Sequence, residues 1–467
     1  MKKESVSAAG LGIEFEGGFS EEVTAHAGVA LLLETGRRSG VMPKADRVLP
    51  VKKNPKGLTQ GQMVESLVLL SALGGECPDD LQTLRQDRGL EAMLGYELPA
   101  PSTVRAWLEL YHDDEAMDGR PSQGSFIPQE WSRLAGLGEV MRESVRAYVA
   151  VMEPPRQVTM DVDAHLVEST KREALPTYEG YRGYQPMIVT WAQTELILAD
   201  QFRDGNVNVP ASKEMAKVVD EAYAALPARS DGWEVRVRSD SAAYEQEVLA
   251  HWAERGWKFA VSADMSPQLR QEIDTLKPDD WHAWAVEEKG FVREWAEVAY
   301  VPGLKAEKRD LAPNRYLAIR IRSPQGVLFS DGNGTKIFAV VTNDWEMGGR
   351  ELLEWQRGKA GTVEHTHRVL KDELAAGVYP SGKFGANAAW LRLQALTSNL
   401  LVLLRAKALD EEYRHARPKR LRFAIFNHVG RVVHHARQLL MRVFHSVLEE
   451  IIGPGLSRLR KAAWQAA

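Results

Sequence analysis

Cysteine is almost missing from this chain: Cys77 stands alone in 467 residues. That excludes an intrachain disulfide and a cysteine-based zinc finger, and it fits a reducing compartment. Long apolar runs are missing as well. Runs such as 29–33 and 400–404 fall far short of the roughly 20 residues a bilayer span needs, so no membrane association is expected. The opening MKKESVS carries two lysines with no apolar core behind them, against a secretory signal. No short-period repeat is present. Neither the G-x-S-x-G elbow nor the phosphate loop G-x-x-x-x-G-K-[ST] occurs, which sets aside serine-hydrolase and ATP-driven chemistry.

What is there describes a folded, cytoplasmic protein. With 44% hydrophobic and 26% charged residues, the chain is not largely disordered, and its length predicts two to four domains. The net charge of −5 is unevenly spread: after Arg405 there are 12 Lys/Arg against 5 Asp/Glu, a basic tail able to meet nucleic acid locally. Residues 1–150 read as helical. Met63, Leu67, Leu70 and Leu73 recur at helical spacing from Thr59, a second helix fits 79–86, and 101–108 opens as a capped amphipathic helix. Such short helices fit a helix-turn-helix or an ordinary bundle. A loop over 115–130 precedes a helix at 131–152.

From residue 151 the pattern changes. Strands are expected at 158–167, 187–191, 196–202, 234–238 and 258–262, with helices at 212–226 (Pro210 near its start) and 243–254. This order predicts an α/β core with a mixed sheet and helices on its faces, spanning 151–280. Residues 281–345 read as a β-rich insertion, with strands at 284–286, 294–301, 315–322, 327–329 and 336–342. Residues 346–407 turn helical and complete the core. Residues 408–467 form a basic helical C-terminal region, broken at Gly430 and at 453–455.

Three acidic contexts carry the chemistry: 157–166 (QVTMDVDAHL), 234–242 (EVRVRSDSA) and 361–373 (GTVEHTHRVLKDE). Three carboxylates gathered by folding suit a two-metal site for phosphodiester cleavage and joining, because Mg²⁺ takes a few carboxylates and the substrate phosphates. Asp161 and Asp163 are two apart on a strand and so share one face; either is a candidate ligand, or both are solvated acids at a strand end. Asp240 ends a strand, where α/β proteins bind ligands, but also suits a helix N-cap; Arg236 and Arg238 share its parity, so its face is not plainly buried. Glu364 and Lys371, seven apart, project from one helix face as a carboxylate for metal and an ammonium for phosphate, or as a solvated face. His365 and His367, two apart, point to different faces, unlike a zinc-binding pair four apart.

On these residues the chain resembles DDE transposases of bacterial insertion sequences, most of all the group called IS thirteen-eighty, a relative of the IS-four group. The matching stretches are 160–166 (MDVDAHL), Lys171 and 178–186 (YEGYRGYQP); then 238–242 (RSDSA); then 359–365 (KAGTVEH) with Leu370 and Lys371, 384–390 (FGANAAW) and 399–401 (NLL). The resemblance spans roughly 150–440 and is specific in combination. It implies a ribonuclease H-like core with a β-rich insertion between the second Asp and the Glu. It also implies that Asp240 and Glu364 are the second and third metal ligands. The first is Asp161 or Asp163, with the following Ala-His favouring Asp163. Lys371 matches the lysine seven after the Glu, but the Tyr and Arg ahead of it are replaced by Arg357 and Ala360. Arg357 and Lys359 are the expected phosphate contacts instead.

The implied function is Mg²⁺-dependent cleavage at element ends followed by strand transfer, with two Mg²⁺ ions, for which Mn²⁺ can substitute. The implied partners are double-stranded DNA of the terminal inverted repeats and of the target, with a homodimer in the synaptic complex. End binding would rest on residues 1–150 and on the tail cations Arg417, Lys419, Arg420, Arg422, Arg431 and Arg437. The rivals are a non-catalytic DNA-binding derivative and a metal-dependent nuclease without strand transfer.

Overall fold

The computed structural model describes residues 5–8, 10–11, 13–16, 22–49, 57–121, 124–207, 212–227, 232–286, 290–303, 314–324, 328–329, 332–436 and 438–464. The N-terminal helices come first: α1 (Ala30–Arg38), α2 (Val41–Val48), α3 (Gln60–Ala72), α4 (Pro101–Glu109) and α5 (Ser132–Met152). Thr59 starts α3 through a reciprocal capping box. Its hydroxyl accepts from Gln62 N at 3.2 Å, and the Gln62 side chain accepts from Thr59 N at 2.8 Å. The expected helix over 79–86 is shorter, with an α-helical turn only at Leu81–Leu84.

Nine strands form the main sheet: β1 (Gln157–Ala164), β2 (Met187–Trp191), β3 (Leu196–Gln201), β4 (Glu234–Ser239), β5 (Lys258–Ala263), β6 (His282–Val286), β7 (Val292–Val298), β8 (Arg315–Arg322) and β9 (Thr335–Thr342). Their order is β6-β7-β8-β9-β5-β4-β1-β2-β3. The β3-β2-β1-β4-β5 part, with β1, β4 and β5 parallel and β2 antiparallel between β1 and β3, is the ribonuclease H-like core that the sequence predicts. Helices α6 (Ser212–Ala225) and α7 (Gln246–Glu254) cross between its strands. The predicted 327–329 strand begins outside the described residues, as does Pro210; Leu328 and Phe329 are not in a strand. The β-rich segment is a continuation of the same sheet, since β9 pairs antiparallel with β5 from Ala260↔Thr342 to Ala263↔Ala339.

After the sheet come α8 (Gly349–Arg357), α9 (Val363–Glu373) and α10 (Phe384–Lys407). Alternation along β1 and β4 sorts the sheet faces. Val158, Met160, Val162, Val235 and Val237 enter one core with α6 and α7. Thr159, Asp161, Asp163, Arg236, Arg238 and Asp240 belong to the opposite parity. There, Thr362, just ahead of α9, bonds to Asp161. α10 is buried along Phe384–Leu404, on every face, because it lies between the sheet and the N-terminal helices. The N-terminal helices therefore share one core with α9 and α10.

The C-terminal region differs from the helical expectation. Gly430–His435 and Gln438–Arg442 form a β-hairpin, and Gly430 and Arg431 pair with Thr24 and Val23. The β-branched Val432 and Val433 favour the extended form and pair with Met441 and Leu440. The 453–455 break is instead the start of a helix, Gly453–Lys461, with Pro454 in its first turn.

Asn399 of α10 closes the outer edge of β3: its Oδ1 accepts from Ile197 N at 2.8 Å and its Nδ2 donates to Ile197 O at 2.8 Å. Both residues are fully buried. Removing the amide strands two buried backbone groups, so Asn399→Ala is expected to lower the unfolding free energy by about 2–4 kcal/mol. Urea denaturation reads this as a lower midpoint at unchanged slope; an unchanged midpoint would show that Asn399 does not hold the edge.

Candidate active site

Asp161 lies in the middle of β1 with no exposed surface. A bare carboxylate there would be very costly, and its neighbours remove the cost. Arg238, opposite it on β4, donates from Nε to Oδ1 at 2.6 Å and from Nη2 to Oδ2 at 2.8 Å. The hydroxyl of Thr362 donates to Oδ2. The same guanidinium donates to the Trp355 carbonyl and stacks 5.3 Å from the Trp355 ring centroid. A Cβ on Gly358 would stand 2.6 Å from Arg238 Nη1, so only glycine leaves room for this arginine. Both oxygens of Asp161 are thus engaged, by partners from β4 and from the turn before α9. The parity puzzle of Arg238 is resolved: its face is buried by pairing.

Two residues further along, the strands end. With Arg238 in register with Asp161, the next pair of like parity is Asp240 beside Asp163, at the C-terminal ends of two adjacent parallel strands. Asp163 is partly open, and its Oδ1 accepts from Lys359 Nζ at 2.8 Å. Lys359 is only 7% exposed. Asp240 also caps the short helical turn Ser241–Ala243, accepting from Ala242 N at 3.1 Å, as the N-cap reading expects. Asp240 is exposed at the strand end; crowding by the surrounding protein pushes its carboxyl up, Lys359 opposes that, and Asp163 adds to it. Asp163, Asp240 and Lys359 therefore form one electrostatic group.

α9 is fastened to this end of β1. His367 Nε2 lies 3.3 Å from the Asp163 carbonyl and 3.7 Å from its Oδ2, and the ring tilts against His165 at a centroid distance of 4.1 Å. Burial drives both imidazoles toward the neutral form, His165 to about 2 and His367 to about 3. Glu364, one turn before His367 and about 60° around the helix from it, is exposed. It makes no hydrogen bond or ion pair with a described residue, and Lys371 is exposed two turns on. Among the described residues no group of three or more His, Cys, Asp or Glu is gathered tightly enough to hold a metal ion. The fold thus juxtaposes Asp163 and Asp240 and leaves Glu364 at the rim.

The basic candidates separate. Arg357 is exposed, its guanidinium 5.4 Å from the Trp284 ring centroid. Arg422 donates to the carbonyls of Ala72 (2.8 Å), Ser71 (3.1 Å) and Glu373, and so closes the C-terminus of α3. Arg417 is paired with Glu373. Lys419, Arg420 and Arg431 are exposed, and Arg437 lies outside the described residues. Arg238, Thr362 and His367 escaped the sequence reading as site-building residues. One signal was available: an arginine in an apolar strand, at the parity of an aspartate, needs a buried partner.

Over residues 3–464 the chain matches the family described as transposase DDE domain group 1. It belongs to that family. The transposase is also similar to a solved piggyBac transposase synaptic complex with hairpin DNA, at 8% identity over 84% of this chain and 78% of that one, with a TM-score of 0.44. No curated protein matches it. No described helix is long and apolar enough to cross a membrane. DDE transposases generally use divalent metals, and the two carboxylates here are donors of the type such ions take. Asp163 and Asp240 offer hard carboxylate oxygens side by side, and the neighbouring ammonium of Lys359 meets the need for positive charge there.

Removing Arg238 alone would leave the Asp161 charge buried beside only a hydroxyl. Arg238→Met is expected to cost about 3–5 kcal/mol of stability, and the double variant Asp161→Leu/Arg238→Met is expected to recover most of it. Chemical denaturation of the four-member cycle measures the coupling; two additive losses would rule out the pair as a unit.

Proposed function

We propose that the protein is an insertion-sequence transposase of the IS thirteen-eighty type that cuts DNA at its element's ends and joins the freed 3′ ends to a target. The observation that supports this is the placement of Asp163 and Asp240 at the ends of adjacent parallel strands, close enough to act on each other electrostatically, with the Glu364 helix fastened against the same end of β1. Asp163 rather than Asp161 is the first ligand, because both oxygens of Asp161 are taken.

Asp163, Asp240 and Glu364 would hold two Mg²⁺ ions, or Mn²⁺ in their place, which when bound supply charge stabilisation to the attacking and leaving oxygens of an in-line displacement. The chain's own residues orient the reaction. His367 holds the backbone of Asp163, Arg238 and Thr362 fix the strand behind it, and Lys371 offers an ammonium to a phosphate on the Glu364 side. Exposed Arg357, Lys419, Arg420 and Arg431 are the backbone contacts for the DNA ends, with Ser102, Thr103 and Arg105 on the exposed face of α4. Two ends brought together call for a homodimer.

The test is Mg²⁺-dependent nicking of a duplex bearing the sequences that flank the gene, followed by detection of joined products. Asp163→Asn, Asp240→Asn and Glu364→Gln are each expected to lower cleavage by at least about a thousandfold, while end binding in a mobility-shift assay stays within about twofold. Cleavage at the wild-type rate by any of the three would remove that residue from the catalytic set. Cleavage without joined products would leave a nuclease.

A further inference from the structure

Lysine is seldom buried unless paired, yet Lys359 is 7% exposed, with its ammonium 2.8 Å from Asp163 Oδ1. It also acts electrostatically on Asp240, which follows the end of the adjacent parallel strand. Two carboxylates side by side repel, and a cation between them relieves the repulsion. That is the electrostatic task of a divalent ion at this place.

The position of Lys359 in the chain adds a mechanical link. It sits on the turn Gly358–Gly361, which leads into α9, five residues ahead of Glu364. The intervening Thr362 is anchored to Asp161. Glu364, meanwhile, is exposed and has no described partner, and the three carboxylates are not gathered. The turn thus carries a cation that is engaged with the first aspartate and a carboxylate that is not.

We propose that Lys359 is a built-in counter-cation, an autoinhibitory contact that occupies Asp163 until a divalent ion displaces its ammonium. Its departure frees the turn to bring Glu364 over the two aspartates. This inference rests on the assignment of Asp163, Asp240 and Glu364 as metal ligands.

Binding of Mn²⁺ to the full-length chain, followed by the electron paramagnetic resonance of the free ion, tests it without DNA or turnover. Lys359→Met removes the competitor and is expected to bind Mn²⁺ about tenfold more tightly than wild type, the equivalent of about 1.4 kcal/mol. Lys359→Arg keeps the charge and is expected to bind no more tightly than wild type. Adding Asp163→Asn to Lys359→Met should abolish the gain. If Asp163→Asn and Asp240→Asn lose Mn²⁺ binding while Lys359→Met gains none, the counter-cation is refuted and the metal site stands. If both aspartate variants bind Mn²⁺ as wild type does, the ligand assignment fails and the counter-cation with it. Should Lys359→Met not fold by circular dichroism, hydrogen exchange of wild type decides. Mn²⁺ is expected to change exchange in the 357–366 segment, and an unchanged segment at saturating Mn²⁺ overturns the proposal.

Discussion

The ion pair between Asp161 and Arg238 is the constraint on which the site depends. It joins neighbouring parallel strands at their last register pair, and it sets the register that brings Asp163 toward Asp240. A buried pair of this kind returns little net stability, because desolvating two charges offsets most of their attraction. Its effect here is geometric. The guanidinium also holds the Trp355 carbonyl, at the end of α8, and the carboxylate holds Thr362, at the start of α9. One polar knot therefore locates both strands and the turn that enters the Glu364 helix. A slip of one residue in β1 would place Met160 or Val162 opposite Arg238 and leave a buried guanidinium without an anion.

That knot separates two kinds of acidic residue which look alike in sequence. Asp161 and Asp163 share a strand, a parity and a chemical identity. Burial distinguishes them: Asp161 is sealed by α8, the turn and Arg238, whereas Asp163 reaches the end of the sheet, where the covering elements stop. The sealed acid is fixed by neutralising partners. The open one keeps an oxygen that can change partner, and the same holds for Asp240, which uses one oxygen for its cap. Neutral His165 and His367 line the inner side of Asp163, so the carboxylate has positive charge on only one flank, that of Lys359.

Most of the sheet was legible in the sequence because its strands are apolar on at least one face and are bounded by turn residues. Met187–Trp191 and Arg315–Arg322 match the expected spans, and the neighbouring strands differ by one to three residues at their ends. Asp240 and Glu364 were legible as candidates, but their separation in space was not, since nothing local reports how far a turn such as Gly358–Gly361 carries a helix. The role of Lys359 was illegible for the same reason: its partner lies 196 residues away. The hairpin at Gly430–Arg442 pairs locally, from Arg431↔Arg442 to His435↔Gln438, and Val23–Thr24 from the other end of the chain extends it. Long-range partners decided the other cases, and helical or strand periodicity carries no information about them.

The β-rich segment also takes on a different meaning in three dimensions. An insertion looped out between two catalytic elements would be free to vary independently of them. Here β9 continues the core sheet through β5, and α8 packs Leu352 and Leu353 onto Ala260 of β5 together with Trp284, Leu317, Ile319 and Val340 of the added strands. At the start of α8 the contact is closer still: a Cβ on Gly349 would meet the Trp295 ring at 2.2 Å. α8 ends at the turn that bears Lys359 and leads to Glu364, so the added strands form the floor on which that turn is positioned. The segment between Asp240 and Glu364 is therefore part of what sets the position of Glu364, and a change in its packing at Trp295 or Leu317 would be felt first at Lys359 and Glu364.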